Sequence, residues 1–573
     1  MQKRTSLAIN SGMEIKPPAR GRLARIKPYK AAAPEDTVSD IRSRLAGLGM
    51  SFVEEPIHGE EGSFSYCLRL VDGVRGEPVF QTMGKGRTDS YAKASAYGEM
   101  IERIQNLAFY MMLMYPSEPE TGYSVRNLPF KYYLDEKALV GEELRRGIGR
   151  LSRDDPAPDE FLRAEPAIGV PFWNVFGSRA EYLPFRAFQI IVGSNGMRSG
   201  NTLAEALIHG ICEVFERHVL KQLFLSPCSP PDVPPELFAG HDIHEDLNRL
   251  TESNEYIVQV KDCSLGLRLP VIGLLIRDRY GRYAFHLGAD PSPVTALERC
   301  LTEMCQGGRI LFKDAGNLEG ASGDVRVSEF WRTQLHLNIR SYEGHWPPAI
   351  LRQESDDSFG GFEHPVSLSD EDDLEYLLGI VRDAGWELLI RDNSFLGFPS
   401  YHVYIPGIGE MTNALDNAFA KQHLAFDRQV HVVTNPAGAT LAQREEAARA
   451  MERYAAVAPS GQFRAADYLM HYRQHPLAAM PQAALQEFLF QPAPLGRAPD
   501  VPACFGCASC RWVSRCNYPF LSTVWNRLKQ AMTFSTWTQN NVRHIAKGGM
   551  ANPQPAVPGD SSRFDHARPD AIQ

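Results

Sequence analysis

Two helices that carry the same acidic signature constrain this chain more than anything else in it. The stretch "GEMIER" at 98 to 103 recurs as "CEVFER" at 212 to 217, 114 residues further on. Self-similarity at a distance implies repeated structural units. Each copy follows a glycine-containing turn, "MGKGRT" before the first and "SNGMRSGNT" before the second, so two related strand–turn–helix units are expected. On a helix, positions i, i+4, i+7 and i+8 share a face, which puts Ser95, Glu99, Glu102 and Arg103 on one stripe. Side-by-side carboxylates repel, and something nearby must offset that repulsion. The second helix repeats the stripe with Glu205, His209, Glu213 and Glu216, opposite an apolar face of Leu207, Ile208, Ile211 and Phe215. Thr202, three residues before Glu205, also reads as a capping box at the helix start.

Taken singly, Glu99 with Arg103 and Arg299 with Glu303 are ordinary i,i+4 pairs of the kind found on any solvated helix. The repetition argues for more. A third helix is expected in "PSPVTALERCLTEMCQGG", with Ser292 as N-cap, Pro293 at its first position and a Gly307–Gly308 stop; it presents Arg299, Glu303 and Gln306. If the three helices converge, five or six carboxylates meet, and oxygen ligands in that number suit a hard cation, magnesium above zinc or copper. Magnesium commonly bridges carboxylates to substrate phosphates, so a nucleotide is its natural companion. The chain contains no G-x-x-x-x-G-K-[ST] loop, no kinase signature and no dinucleotide fingerprint after a strand.

Strand-like runs lie between these helices: "YIVQVKD" at 256 to 262, "LPVIGLLIRD" at 269 to 278 and "YHVYIPG" at 401 to 407. Helices and strands alternate irregularly with many turns, which predicts an α+β fold with substantial antiparallel sheet. Residues 1–27 form a basic arm with little apolar periodicity, residues 28–435 the main domain, and residues 436–500 a small helical region. Residues 501–545 hold a cysteine cluster, and 546–573, rich in Pro, Gly and polar residues, read as a disordered tail.

A net charge of -9 argues against a general nucleic-acid coat. No apolar run has the length of a membrane span or the form of a signal peptide, so a cytoplasmic protein with no membrane association is expected. Six of the ten cysteines (Cys67, Cys212, Cys228, Cys263, Cys300, Cys305) are scattered among apolar residues and read as core. The other four, Cys504, Cys507, Cys510 and Cys516 in "CFGCASCRWVSRC", are spaced as a metal site. A [4Fe-4S] cluster and tetrahedral Zn2+ both suit four thiolates, iron–sulfur slightly ahead.

These residues resemble the YcaO family, whose ATP site is built from paired E-x-x-E-R helices without a P-loop. The resemblance runs from about Lys30 to Gly409, through "KAAAPEDT" at 30 to 37, "GKG" at 84 to 86, "SAYGEMIER" at 95 to 103, the segment 194 to 217 and "ALERCLTEMCQGG" at 296 to 308, and is strongest to a stand-alone branch found in enterobacteria. It implies that Lys30, Thr37, Ser95, Asn201 and Arg299 contact ATP, and that Glu99, Glu102, Glu205, Glu213, Glu216 and Glu303 hold Mg2+ on the phosphates. Arg103, Arg217 and Gln306 are expected to brace those carboxylates from behind.

Family members use ATP to phosphorylate a backbone amide oxygen in a ribosomally made peptide, giving azolines, thioamides or amidines. The resemblance therefore implies an ATP- and Mg2+-dependent cyclodehydratase or thioamide-forming enzyme. No catalytic base is assigned. Azoline-forming members commonly end in Pro-x-Pro-x-Pro, which "RPDAIQ" does not match, so ring closure and thioamidation both stay open. The enterobacterial branch implies a second reading, a non-catalytic accessory protein for an enzyme that methylthiolates a ribosomal protein. Expected partners are a peptide or ribosomal-protein substrate, a TfuA-like, leader-binding or radical-enzyme partner, and a second copy of the chain in a homodimer.

Overall fold

The computed structural model describes residues 30–58, 64–71, 78–106, 137–151, 167–252, 255–306, 309–315, 328–362, 369–411, 432–433, 436–457 and 482–490. The basic arm, the Gly307–Gly308 stop, the cysteine cluster and the C-terminal tail lie outside these residues. Helix α1 (Pro34–Gly47) leads into a sheet of β1 (Ser51–His58), β2 (Phe64–Val71) and β3 (Pro78–Gly86), followed by α2 (Asp89–Gln105). Then come β4 (Lys137–Leu139), α3 (Gly141–Leu151), β5 (Ala167–Asn174), β6 (Arg179–Pro184), α4 (Phe185–Ile191), β7 (Met197–Ser199) and the long α5 (Leu203–Leu225). The next stretch holds α6 (Asp242–Glu252), β8 (Tyr256–Asp262), β9 (Val271–Asp278), β10 (Arg282–Ala289), α7 (Pro293–Met304), β11 (Lys313–Asp314) and α8 (Glu329–Ser341). Last are α9 (Asp370–Asp383), β12 (Leu389–Asp392), β13 (Ser400–Tyr404), α10 (Leu441–Val457) and α11 (Gln482–Phe490).

The strands form three antiparallel sheets, ordered β1-β2-β3, β11-β10-β9-β8 and β4-β5-β12-β13-β7, with β6 paired to β5. This is the expected α+β arrangement. Strand β8 spans the predicted residues. Strand β9 starts at Val271 rather than Leu269, because Pro270 has no N–H for the ladder and Val271 N turns back to Leu269 O. The continuous apolar run of β9 is explained by burial on both faces. Val271 and Leu275 face the core of α5, α8 and α9, whereas Ile272, Leu274 and Ile276 face that of α6 and α7.

Three strand–turn–helix units organise the molecule: β3–α2, β7–α5 and β10–α7. Their caps match, with Thr88, Thr202 and Ser292 side chains accepting from the third backbone N–H beyond each. The fourth residue past each cap is Ala92, Ala206 and Ala296, and the eighth Ala96, Gly210 and Cys300. Such small residues let helix and strand approach closely. A Cβ at Gly84 would stand 2.0 Å from Ala92 O, and one at Gly288 2.3 Å from Ala296 O. The third unit was legible only as a helix, since Gly288 and its strand share no string with the first two.

Five of the six scattered cysteines are buried and Cys228 is half-buried, as expected of core thiols. The C-terminal helices, placed in a region of their own from the sequence, bury Met451, Leu485 and Leu489 in the same core as α1 to α4. No helix among the described residues is long and apolar enough to cross a membrane.

Candidate functional site

The three units direct equivalent positions into one cleft of about 1450 Å3, all of them helical but Gln306, which follows the end of α7. Counting from the caps, the seventh residues are Ser95, His209 and Arg299, the eleventh Glu99, Glu213 and Glu303, and the fourteenth Glu102, Glu216 and Gln306. All nine line the cleft, as do Lys30, Thr37, Asn201, Glu205, Arg103 and Arg217. Every candidate residue within the described part of the chain therefore meets in one place.

At one end, Lys30 Nζ lies 3.2 Å from Glu205 Oε1 and 2.9 Å from His209 Nε2. Asn201 donates to Glu205 Oε2 through both its backbone N and Nδ2, at 3.1 Å each, and accepts from Thr37 Oγ1 at 2.8 Å. Burial pulls the Lys30 ammonium below its ordinary range. Burial alone would raise Glu205, but Lys30 and the Asn201 bonds hold its carboxyl below the usual range. The expected capping box forms by half. Thr202 Oγ1 accepts from Glu205 N, yet the Glu205 carboxylate reaches Asn201 N rather than the cap's own N–H.

In the middle, backbone N–H groups of the preceding strands fix two of the glutamates: Met83 N donates to Glu99 Oε2 at 3.3 Å and Gly196 N to Glu213 Oε2 at 3.0 Å. Arg103 reaches Glu99 at 3.3 Å and Glu102 at 3.7 Å. It touches the carboxylates directly, closer than the bracing role expected from behind them. Arg198, at the end of β7, lies 2.9 Å from Glu213 and 3.6 Å from Glu102. Glu102 is 4% exposed, its Oε1 lacks a hydrogen-bond partner among the described residues, and burial pushes its carboxyl up to about 7.

At the far end, Lys85 forms an ion pair with Glu303 and donates to Gln306 Oε1 at 3.4 Å, while Gln306 Nε2 reaches Met83 O at 3.5 Å. The Arg299–Glu303 pair suggested by spacing is replaced by Arg299 with Asp290, at 3.5 Å, and Glu303 with Lys85. Tyr342, in the left-handed region at φ 57°, donates to Glu216 at 2.5 Å and stacks on His286. Burial raises Glu216, and Arg217 lies over the Tyr342 ring while donating to Ile339 O.

The chain's own cations thus offset much of the repulsion that the sequence left to a metal. The donor set still suits Mg2+: the carboxylates of Glu99, Glu216 and Glu303 reach the cleft from three helices and offer only oxygen ligands. It is not pre-assembled, because no group of three acidic, His or Cys side chains among the described residues could hold a metal. Sequence reasoning missed Arg198, His286 and Tyr342 and quoted Lys85 only within "GKG" at 84 to 86, with no role. Lys85 and Arg198 sit inside the two glycine turns, where a cation in each turn was the available signal.

Residues 83–409 match the family described as YcaO cyclodehydratase, ATP- and Mg2+-binding. The chain is 26% identical over 437 residues to the ribosomal protein S12 methylthiotransferase accessory factor YcaO of Escherichia coli K12, covering 71% of this chain and 70% of that one. It is 23% identical over 393 residues to a protein of Methanothermobacter thermautotrophicus, covering 66% and 94%. Among solved structures, a heterocyclase in complex with substrate and cofactor aligns with a TM-score of 0.45 and 19% identity, over 69% of this chain and 54% of that chain, about half its length. YcaO from Methanopyrus kandleri bound with AMPPCP and Mg2+ aligns at 0.40 and 20%, over 67% and 93%. On the match that spans 83–409, more than half of its length, this chain belongs to the YcaO family.

Proposed function

We propose that the cleft binds ATP with Mg2+ and activates a backbone amide of a peptide or ribosomal-protein substrate, leading to a thioamide or an azoline. The observation that carries this reading is the convergence of the eleventh and fourteenth residues of three strand–turn–helix units on one cleft whose other end holds Lys30, Thr37 and Asn201. Lys30 and Arg299 supply positive charge for phosphates, Asn201 and Thr37 supply polar contacts, and Ser95 lines the same wall. Glu99, Glu216 and Glu303 are the carboxylates assigned to Mg2+, with Glu205 holding Lys30 and Asn201 in place. Mg2+ would neutralise the charge developing on the transferred phosphoryl group. The chain's own Lys30, Asn201 and Thr37 would hold the nucleotide in a fixed place beside the carboxylates.

A second reading, an accessory protein that docks a modifying enzyme, is favoured by the name of the Escherichia coli relative. The two separate in cells carrying either the wild-type chain or Glu216→Gln with Glu303→Gln. Peptides that have lost water or exchanged oxygen for sulfur only with the wild type support catalysis in this cleft. The same modified peptides with both chains support the accessory role and refute the catalytic one.

A further inference from the structure

We propose that Arg198 is this chain's built-in counter-cation for Glu102 and Glu213 and keeps divalent metal off that pair, so that a guanidinium fills one cation position of the cleft. The inference rests on the reading of the cleft as an ATP and Mg2+ site and narrows which of its carboxylates take metal. Arg198 spans two helices, with Nη2 at 2.9 Å from Glu213 Oε1 on α5 and Nη1 at 3.6 Å from Glu102 Oε1 on α2. Nη1 also donates to Met197 O at 3.2 Å. Both oxygens of Glu213 are then engaged, the second by Gly196 N at 3.0 Å. A metal bridging the pair would need the space the guanidinium occupies and would meet a group that does not lose its proton.

The backbone that carries Arg198 is tied down from two sides. Ser199 Oγ donates to Gly98 O of α2 at 2.9 Å, and β7 pairs with β13 through Arg198 opposite Tyr401. Glu102, buried and without a hydrogen bond on Oε1 among the described residues, has its charge met by Arg198 and Arg103. The sister units differ at this point. The fourth residue before the helix cap is Gly84 in the first unit and Gly288 in the third, and of the three only the middle unit places a cation there.

The test counts Mn2+ bound per chain by electron paramagnetic resonance, with saturating AMPPCP, for wild type, Arg198→Ala, Arg198→Gln and Arg198→Lys. The expected result is one further Mn2+ ion in Arg198→Ala and Arg198→Gln, a larger Mn2+-induced rise in their melting temperature, and the wild-type count in Arg198→Lys. Equal counts in all four would overturn the role of Arg198 while leaving the ATP reading intact. Weaker AMPPCP binding with an unchanged count would make Arg198 a phosphate ligand and overturn the proposal as well. No Mn2+ bound with AMPPCP in any of them would remove the ATP and Mg2+ reading, and this inference with it.

Discussion

Gly84→Ala adds one methyl group at the tightest contact between β3 and α2. The added carbon would stand 2.0 Å from Ala92 O, 2.3 Å from Ala96 N and 2.8 Å from Ala96 Cα, where ordinary carbon contacts begin near about 3.5 Å. All three neighbours are backbone, so no side chain can swing aside and the helix must move from the strand by more than about an ångström. Overpacking of this kind costs about 2 to 4 kcal/mol, at the upper end of its usual range because backbone has to shift. The movement also pulls Glu99 from Met83 N, now 3.3 Å apart, so nucleotide affinity should fall with stability. Gly47→Ala is the control, since nothing lies within 4 Å of its added carbon at the end of α1. It should stabilise by about 0.5 to 1 kcal/mol through helix propensity. Urea denaturation of both variants checks the pair. A Gly84→Ala variant within about 0.5 kcal/mol of wild type would refute the close packing of the first unit and, with it, the positioning of Glu99.

Two further outcomes follow from single residues and a third from the cysteine cluster. Burial alone would raise Glu54, but Lys93, Tyr97 and Arg42 hold its carboxyl down to about 2 from an unfolded value of 4.5. Its stabilisation is therefore present above about pH 4.5 and lost as pH falls toward 2; Glu54→Gln should cost about 1 to 2 kcal/mol at pH 7 and flatten the acid limb of a denaturation-against-pH curve. Asn201→Ala removes the donor to Glu205 and the acceptor for Thr37, and should weaken ATP binding by about tenfold in calorimetry with the melting temperature little changed. We expect the purified chain to carry iron with sulfide, or zinc, on Cys504, Cys507, Cys510 and Cys516; elemental analysis of wild type against Cys507→Ser with Cys510→Ser checks it, and a metal-free wild type would contradict it.

The carboxylate helices were legible because a cap and an i, i+4, i+7 pattern are local features, and a helix displays them wherever it packs. The partners of those carboxylates were not. Tyr342 reaches Glu216 from 126 positions away, and Lys30 reaches His209 from 179, distances over which no periodicity carries information. The sequence view of Glu205 as a cap residue was half right, since its N–H obeys the local rule while its carboxylate answers to Lys30 and Asn201. Likewise the spacing of Arg299 and Glu303 suggested a pair that Asp290 and Lys85 displace. Convergence of the three helices entered the sequence reading only as a condition, suggested by the repetition in two of them, whereas the offsetting of their charge by Lys85, Arg103 and Arg198 required the strands to be placed beside them.

The most direct test of the central claim is calorimetric titration of ATP with Mg2+ into the purified chain, against Glu99→Gln with Glu303→Gln. Binding in the micromolar range, dependent on Mg2+ and lost in the double variant while its melting temperature holds, is the predicted result. A wild type that takes up no ATP, or a double variant that binds it as tightly as wild type does, would contradict the assignment of the cleft.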